Sequence, residues 1–179
     1  SHDDYFRHDK IQKQVMILEN DVSKNVVCLS HSISFNESTK YNRKIKVRKF
    51  LLNKTNWLLM SDKLHGCSLL LPKHLIIDAG FFNEDLKFTQ DYDMWMRLIN
   101  QGVKFLLCDD YLLFSRSHAS QGSVSKYDEV FFEKNNFYIS KLEDFFNKEK
   151  KISLFNINIY FIFSSFIYRG YASILINFI

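Results

Sequence analysis

The chain contains a single proline, and its position restricts how the sequence around it can fold. Pro72 opens the run PKHLIIDAG and Gly80 closes it. Proline is tolerated in the first turn of a helix, where its missing N–H has no partner to lose, and glycine accepts the left-handed conformation just past a helix end. The pair therefore brackets a short helix. Gly102 closes a second one, QDYDMWMRLINQG, in which Met94, Trp95, Leu98 and Ile99 recur at helical spacing. LHGCSLLL ahead of these helices and VKFLLCDD behind them read as strands. Further upstream, KIQKQVMILEN places Ile11, Val15 and Leu18 at helical spacing, with Asp9 positioned to cap the first turn. NVVCLSHSISF then has the β-branched, apolar character of a strand. Strand and helix alternate repeatedly, which predicts an α/β fold with helices layered on a sheet. The polar stretch 36–46 is expected to be a loop or short hairpin, and VRKFLLNKTNWLLMSDK one or two short helices.

A length of 179 residues and a composition 46% hydrophobic and 16% aromatic supply one domain with a substantial core. The formal net charge of +4 is modest and gives no case for nucleic acid. Cations cluster only in RKIKVRK and KEKK, runs that read as solvated faces or as contacts with an anionic membrane surface. Cys28, Cys67 and Cys108 are odd in number and widely spaced in apolar runs. That argues against a disulfide framework or a zinc site and for reduced, buried thiols in a cytoplasmic protein. No signal-peptide pattern is visible, and the opening SHDDYF, without Met, reads as a piece of something longer. The apolar segment from Ile152 onward is interrupted by Asn156, Asn158, Ser164, Ser165 and Arg169. It is expected to lie on a membrane surface or to pack on the protein, with a true bilayer span as the third option.

The stretch GFFNEDLKFTQDYDMWMRLINQG concentrates acids in front of a helix. Asp91 lies one turn before Met94 and Trp95 and so shares their inward face. A carboxylate there either caps the helix or serves as a base kept ionised by the positive end of the helix dipole. Asp93 sits further round and can pair with Arg97 at i, i+4 on the surface. At the N-terminus, Asp3 and Asp4 either cap a turn or offer oxygen ligands to a hard divalent cation. In SRSHASQGS, Arg116 and His118 alternate along an extended segment, where they could meet a phosphate or a metal, or could simply belong to a solvated loop. Gly66, next to His65, would let the backbone approach a ligand closely. His8, His31 and His74 have no partner pattern and read as surface or satisfied polar residues. The chain has no glycine-rich phosphate loop, no G-x-S-x-G elbow and no H-E-x-x-H.

Taken in order, DDYFRHDKIQKQVMIL, HGCSLLLPKHLIIDAGFFNEDLKFTQDYDMWMRLINQG and SRSHASQGS resemble the later half of family 2 glycosyltransferases of the GT-A fold, over nearly all of the chain up to Asn147. GFFNEDL followed by TQDYDMWMRL is the most specific part. The resemblance implies a partial, Rossmann-like three-layer fold in residues 1–147, without the N-terminal nucleotide-binding strands, followed by an apolar tail in residues 148–179. It implies that Asp91, after Gln90, is the base that takes a proton from an acceptor hydroxyl in an inverting sugar transfer. It also implies that Asp3, and with it His118, holds a divalent cation, Mg or Mn, at the end of a central strand, and that Ser1 stands where an Asp is often found. Asp4, His65, Gly66, Gln90, Trp95 and Arg116 are the expected substrate contacts. The implied partners are a nucleotide-sugar donor and a glycan or lipid-linked acceptor in surface-glycan synthesis at the inner face of the cell membrane. The Q-x-x-R-W signature of processive synthases is not evident, which favours single addition. Two further readings stay open, a non-catalytic carbohydrate- or partner-binding module of the same fold and a metal-dependent phosphoryl-transfer or hydrolytic enzyme using Asp3 and His118. The missing upstream half implies that the piece alone is inactive.

Overall fold

The centre of the structure is a parallel pairing of two long strands, β2 (Val26–Asn36) and β4 (Lys104–Arg116). In the computed structural model, residues 3–36, 38–52, 64–118, 120–121 and 125–148 are described. Two flanking strands pair antiparallel, β1 (Tyr5–Phe6) with β4 and β3 (Tyr41–Ile45) with β2, giving the sheet order β1-β4-β2-β3. The polar stretch after β2 is thus a hairpin. Its turn ends at Lys40, whose φ of 53° is left-handed.

The first half of β2 is buried without interruption, because both faces of the sheet are covered. Val27 and Leu29 point to one side, into a core formed with Leu75, Ala79, Met94, Trp95, Leu98, Val103 and Phe105. Cys28 points to the other side with Cys108 and Leu112, against Ile17 and Leu18 of helix α1 (Lys10–Glu19). This is the period of two expected of a strand, and it produces a mixed α/β arrangement with helices on both faces, compatible with a partial Rossmann-like fold. The chain divides into two compact units, Ser1–Glu133 and Lys134–Ile179, and the sheet lies in the first.

The β2–β4 register shifts on either side of His31, between Ser30 and His31 and again between His31 and Ser32. Ser30 is opposite Cys108, but His31 is opposite Tyr111, so Asp109 and Asp110 are left out of the ladder. Two adjacent carboxylates have no place between two covered faces, and the bulge carries each of them to a polar partner. Asp109 Oδ1 lies 2.7 Å from His31 Nε2, and Asp110 accepts from Lys13 Nζ at 2.6 Å. His31 Nδ1 accepts from the Val47 amide at 3.2 Å, so the ring donates through Nε2 and is a satisfied core histidine. His8 and His74 are exposed.

The other core side is built by two helices with the expected punctuation. Helix α3 (Lys73–Asp78) begins after Pro72 and ends on Gly80, at φ +81°. The amides of Gly80 and Phe81 return to the carbonyls of Ile77 and Ile76, as in a Schellman motif. Helix α4 (Gln90–Asn100) ends the same way, with Gly102 at φ +79° and its amide on Ile99 while the Val103 amide reaches Leu98. A short helix, α2 (Lys49–Leu52), precedes residues 53–63, so the rest of VRKFLLNKTNWLLMSDK falls outside the described residues up to Lys63. The last helix, α5 (Tyr127–Lys148), crosses the division between the units. Among the described residues no helix is long and apolar enough to cross a membrane, and the apolar tail lies beyond them.

Several sequence expectations are corrected. LHGCSLLL is not a strand but a single 3-10 turn, Gly66–Ser68, followed by an isolated bridge from Leu70 to Cys28. Two of its carbonyls, those of Ser68 and Leu69, are taken by side chains of α1 instead of a ladder. Gln14 Nε2 donates to Ser68 O at 2.9 Å and to Cys28 O at 3.0 Å, and Lys10 Nζ reaches Leu69 O at 3.5 Å. For the same reason α1 does not dock through Ile11, which is half exposed, but through Lys10 and Gln14, both buried. Asp9 occupies the N-cap position without capping, since its carboxylate is engaged by Arg7 at 2.5 and 2.9 Å. Asp93 is not a surface residue. It is buried and paired with Arg97 at 2.9 Å, and Arg97 also donates to the carbonyls of Ala79 and Phe81, fastening α4 to the end of α3.

Two predictions follow from these contacts. Replacing Arg97 with Ala leaves the Asp93 carboxylate buried without its cation, and should lower unfolding stability by about 2 kcal/mol in urea melts. Hydrogen bonds from Arg7, His31 and Lys13 hold Asp9, Asp109 and Asp110, respectively, below the ordinary aspartate value, Asp9 at about 2. The unfolded chain therefore binds more protons than the folded one on acidification. Their stabilisation should be complete above the unfolded value near 3.8 and fade as the pH falls towards 2, read as a declining melting temperature.

Candidate functional site

Three separate segments meet at the carboxyl end of β4. β1 runs antiparallel to β4 with Tyr5 opposite Phe114, so Asp3 and Asp4, immediately before it, come alongside the last residues of β4. The two acids thus immediately precede β1. The turn Gly66–Ser68 brings His65 to the same place, with His65 Nε2 3.2 Å from Ser115 Oγ and 3.6 Å from Asp4 Oδ2. The first turn of α4 supplies Asp91 and, one turn on, Trp95.

Gly66 joins these parts. A Cβ built on it would lie 3.5 Å from Asp91 Oδ2 and 4.0 Å from Trp95 Cζ2. Asp91 Oδ1 accepts from the Tyr92 amide at 2.9 Å, while Oδ2 is the oxygen beside Gly66. Asp91 is half-buried, on the inward side of its helix with Met94, Trp95 and Leu98.

The protonation of His65 can be read from its contacts. The Cys67 amide donates to Nδ1 at 3.2 Å, so that nitrogen keeps its lone pair and the proton of the neutral ring is on Nε2. Burial pulls His65 below its ordinary value, against the opposing pull of Asp4 and Asp91. The ring is a neutral donor aimed at Ser115 and Asp4. Ligand atoms of Asp4, His65 and Cys67 lie within 4.8 Å of one another. A metal on Nε2 would nevertheless force the proton onto Nδ1 and break the bond from Cys67, and burial raises the Cys67 thiol. The trio is better read as a hydrogen-bonding cluster than as a cation site.

His118 belongs to a second pair. β4 ends at Arg116, with the Ser117 amide still bonding Phe35 O beside the ladder, and the chain turns after His118, whose carbonyl accepts from the Gln121 amide. The exposed Arg116 guanidinium lies 5.8 Å from the centre of the Phe35 ring, whereas His118 Nε2 stands 3.3 Å from Asp3 Oδ2. His118 Nδ1 is 2.9 Å from Ser120 Oγ. His118 Nε2 is buried and makes no hydrogen bond despite its nearness to Asp3, as is also true of Asp4 Oδ2 beside His65. Trp95 Nε1 is a third buried polar atom without a partner. Gln90 is exposed at the start of α4, and Ser1 lies outside the described residues.

The sequence reading missed Lys10, Gln14, Ser115 and Glu133. Glu133, on α5, accepts from the amides of Lys87, Phe88 and Thr89 at 3.1, 2.8 and 2.8 Å and from Thr89 Oγ1 at 2.9 Å. Burial pushes its carboxyl up, but these bonds outweigh burial and hold it below the ordinary glutamate value. No local pattern signals such a residue, because its partners are 44 to 46 positions away. The pair Lys10 and Gln14 has the helical i, i+4 spacing that could have marked a docking face, but polar residues at that spacing read as solvated.

The chain is similar to proteins described as uncharacterized glycosyltransferases. It is 36% identical over 136 residues to one from Rickettsia felis, covering 72% of this chain and 22% of that protein. With one from Rickettsia prowazekii the identity is 35% over 126 residues, covering 68% of this chain and 39% of the other. With one from Rickettsia bellii it is 32% over 136 residues, covering 72% and 19%. The chain thus spans between about a fifth and two fifths of the length of these homologues. No family model matches it.

The three cysteines give a check on the geometry. Burial raises all their thiols, Cys28 to about 11, and Cys67 is the half-buried one. At neutral pH iodoacetamide should modify the native protein slowly and at Cys67 first, with Cys28 and Cys108 reacting only on unfolding. Early modification of Cys28, followed by peptide mass analysis, would contradict this packing.

Proposed function

We propose that this chain carries the acceptor side and the diphosphate end of a family 2, inverting glycosyltransferase that moves a sugar from a nucleotide-sugar donor to a hydroxyl of a glycan or lipid-linked acceptor. The observation that supports it most is the meeting of Asp91, Gly66, His65, Asp4 and the Asp3–His118 pair at the carboxyl end of the parallel strands. Crevices there are where open α/β sheets bind ligands. The homologues named glycosyltransferases favour this class over others.

Asp91 takes the acceptor proton in this reading. Its Oδ1 is tied to the Tyr92 amide, and the first-turn position favours the ionised form a base needs. Gly66 brings its backbone beside Oδ2 with no side chain of its own between them. The neutral His65 donates through Nε2, and the unpartnered Asp4 Oδ2 accepts, a complementary pair for one sugar hydroxyl. The Trp95 indole N–H is a further donor of this kind. Gln90 and Arg116, both exposed, are further candidate substrate contacts in this reading.

The residues also fit a cation. Asp3 and His118 approach to 3.3 Å without aligning as donor and acceptor, as two ligands of one ion would, and the buried Nε2 lacks another partner. Magnesium or manganese there would offset the charge that develops on the departing diphosphate. Asp3 and His118 would hold the ion, and Ser120 would orient the imidazole through Nδ1.

In the complete gene product, Asp91→Asn should lower sugar transfer roughly 100- to 10,000-fold while leaving nucleotide-sugar affinity by calorimetry nearly unchanged. Transfer at the wild-type rate would remove Asp91 as the base. Metal-dependent phosphate release without any acceptor would instead assign hydrolysis.

A further inference from the structure

We infer that Glu133 positions Asp91, acting through the turn that leads into α4; the catalytic part of this inference rests on the function proposed above. Thr89 is at the N-cap of α4, yet its side chain makes no capping bond. Its amide and hydroxyl instead both donate to Glu133 Oε1, which also takes the Phe88 amide, while Oε2 takes the Lys87 amide. One carboxylate from a distant helix thus supplies what a local cap ordinarily would. Three successive backbone N–H groups converging on one anion form a nest, a geometry selective for negative charge. Thr89 is buried, so the hydroxyl and amide have no water to turn to if the carboxylate is withdrawn.

Asp91 follows Thr89 by two residues, and the first helical bond of α4 runs from the Asp93 amide to Thr89 O, at 3.0 Å. Whatever fixes Thr89 therefore fixes the origin of the helix that bears Asp91. The same connection carries the other side of the site. The chain that leaves β4 passes through His118, beside Asp3, before entering α5 and reaching Glu133. Glu133 ties the segment holding His118 to the turn that sets Asp91. It touches neither substrate nor cation in this arrangement and is a positioning residue.

The test uses the complete gene product with Glu133→Ala and the near-isosteric Glu133→Gln, followed by residue-resolved amide hydrogen exchange and steady-state kinetics well below the melting temperature. In both variants the amides of Phe88 and Thr89 should exchange about tenfold faster or more, and the loosening should extend to Tyr92, whose amide binds Asp91, and to Asp93. The turnover number should fall about tenfold with the donor KM changed less than about twofold, since a base is displaced while binding is kept. Acetate, a carboxylate small enough for the vacated nest, should restore protection and turnover in Glu133→Ala, and chloride at equal ionic strength should not. Faster exchange confined to Lys87, Phe88 and Thr89, or turnover unchanged in both variants of an enzyme that transfers sugar, would reduce Glu133 to a structural cap and overturn the inference. Should the wild type prove to transfer no sugar, the transferase reading fails alone. The exchange at Tyr92 and Asp93 and its reversal by acetate would then decide the positioning of Asp91.

Discussion

The structure depends on the parallel contact between β2 and β4. Because helices cover both faces of this pair, almost every side chain in its first half must be apolar or fully satisfied, and His31 meets the condition through bonds at both ring nitrogens. The same condition expels Asp109 and Asp110 as a bulge, where Asp109 binds His31 of the neighbouring strand and Asp110 binds Lys13 and Arg7. Past the bulge the two strands continue in a new register to their carboxyl ends. There β1 adds on and the acid-bearing segment before it is brought to Ser115.

A second constraint is the polar docking of α1. A lysine and a glutamine buried on an interior helix face would be expensive unless their heads found partners, and the carbonyls of Cys28, Ser68 and Leu69 are those partners. The consequence reaches the site. These bonds hold the segment beside β2, while its own backbone bonds, Ser68 N–H to His65 O and Leu69 N–H to Gly66 O, close the tight turn that presents Gly66 to Asp91. The turn also lets the Cys67 amide fix the tautomer of His65. The electrostatic character of the site follows: a neutral imidazole donor among carboxylates, with buried polar atoms of Asp4, Trp95 and His118 that the protein itself does not satisfy. Buried groups without partners are costly, and they are tolerated where a ligand completes them.

The sequence by itself determined the elements whose causes are local. Pro72, Gly80 and Gly102 set the limits of α3 and α4 because proline and glycine act on their own backbone dihedrals. The apolar spacing in α4 set which side of that helix turns inward, and with it the side on which Asp91 lies. The β-branched run of Val26–Asn36 and the alternation of element types were likewise visible, as was the α/β class. Tertiary structure decided whatever depended on partners far along the chain. It turned LHGCSLLL from a strand into a turn, made Lys10 and Gln14 the buried face of α1 in place of Ile11, and drew Asp93 inside by giving Arg97 two carbonyls as well. It also set His118 beside Asp3 and brought Glu133 to a turn more than forty residues away. The physical reason is the same in each case: each of these polar side chains takes its place through a bond to a group that the folded chain supplies, and one-dimensional spacing carries no record of which distant group that will be.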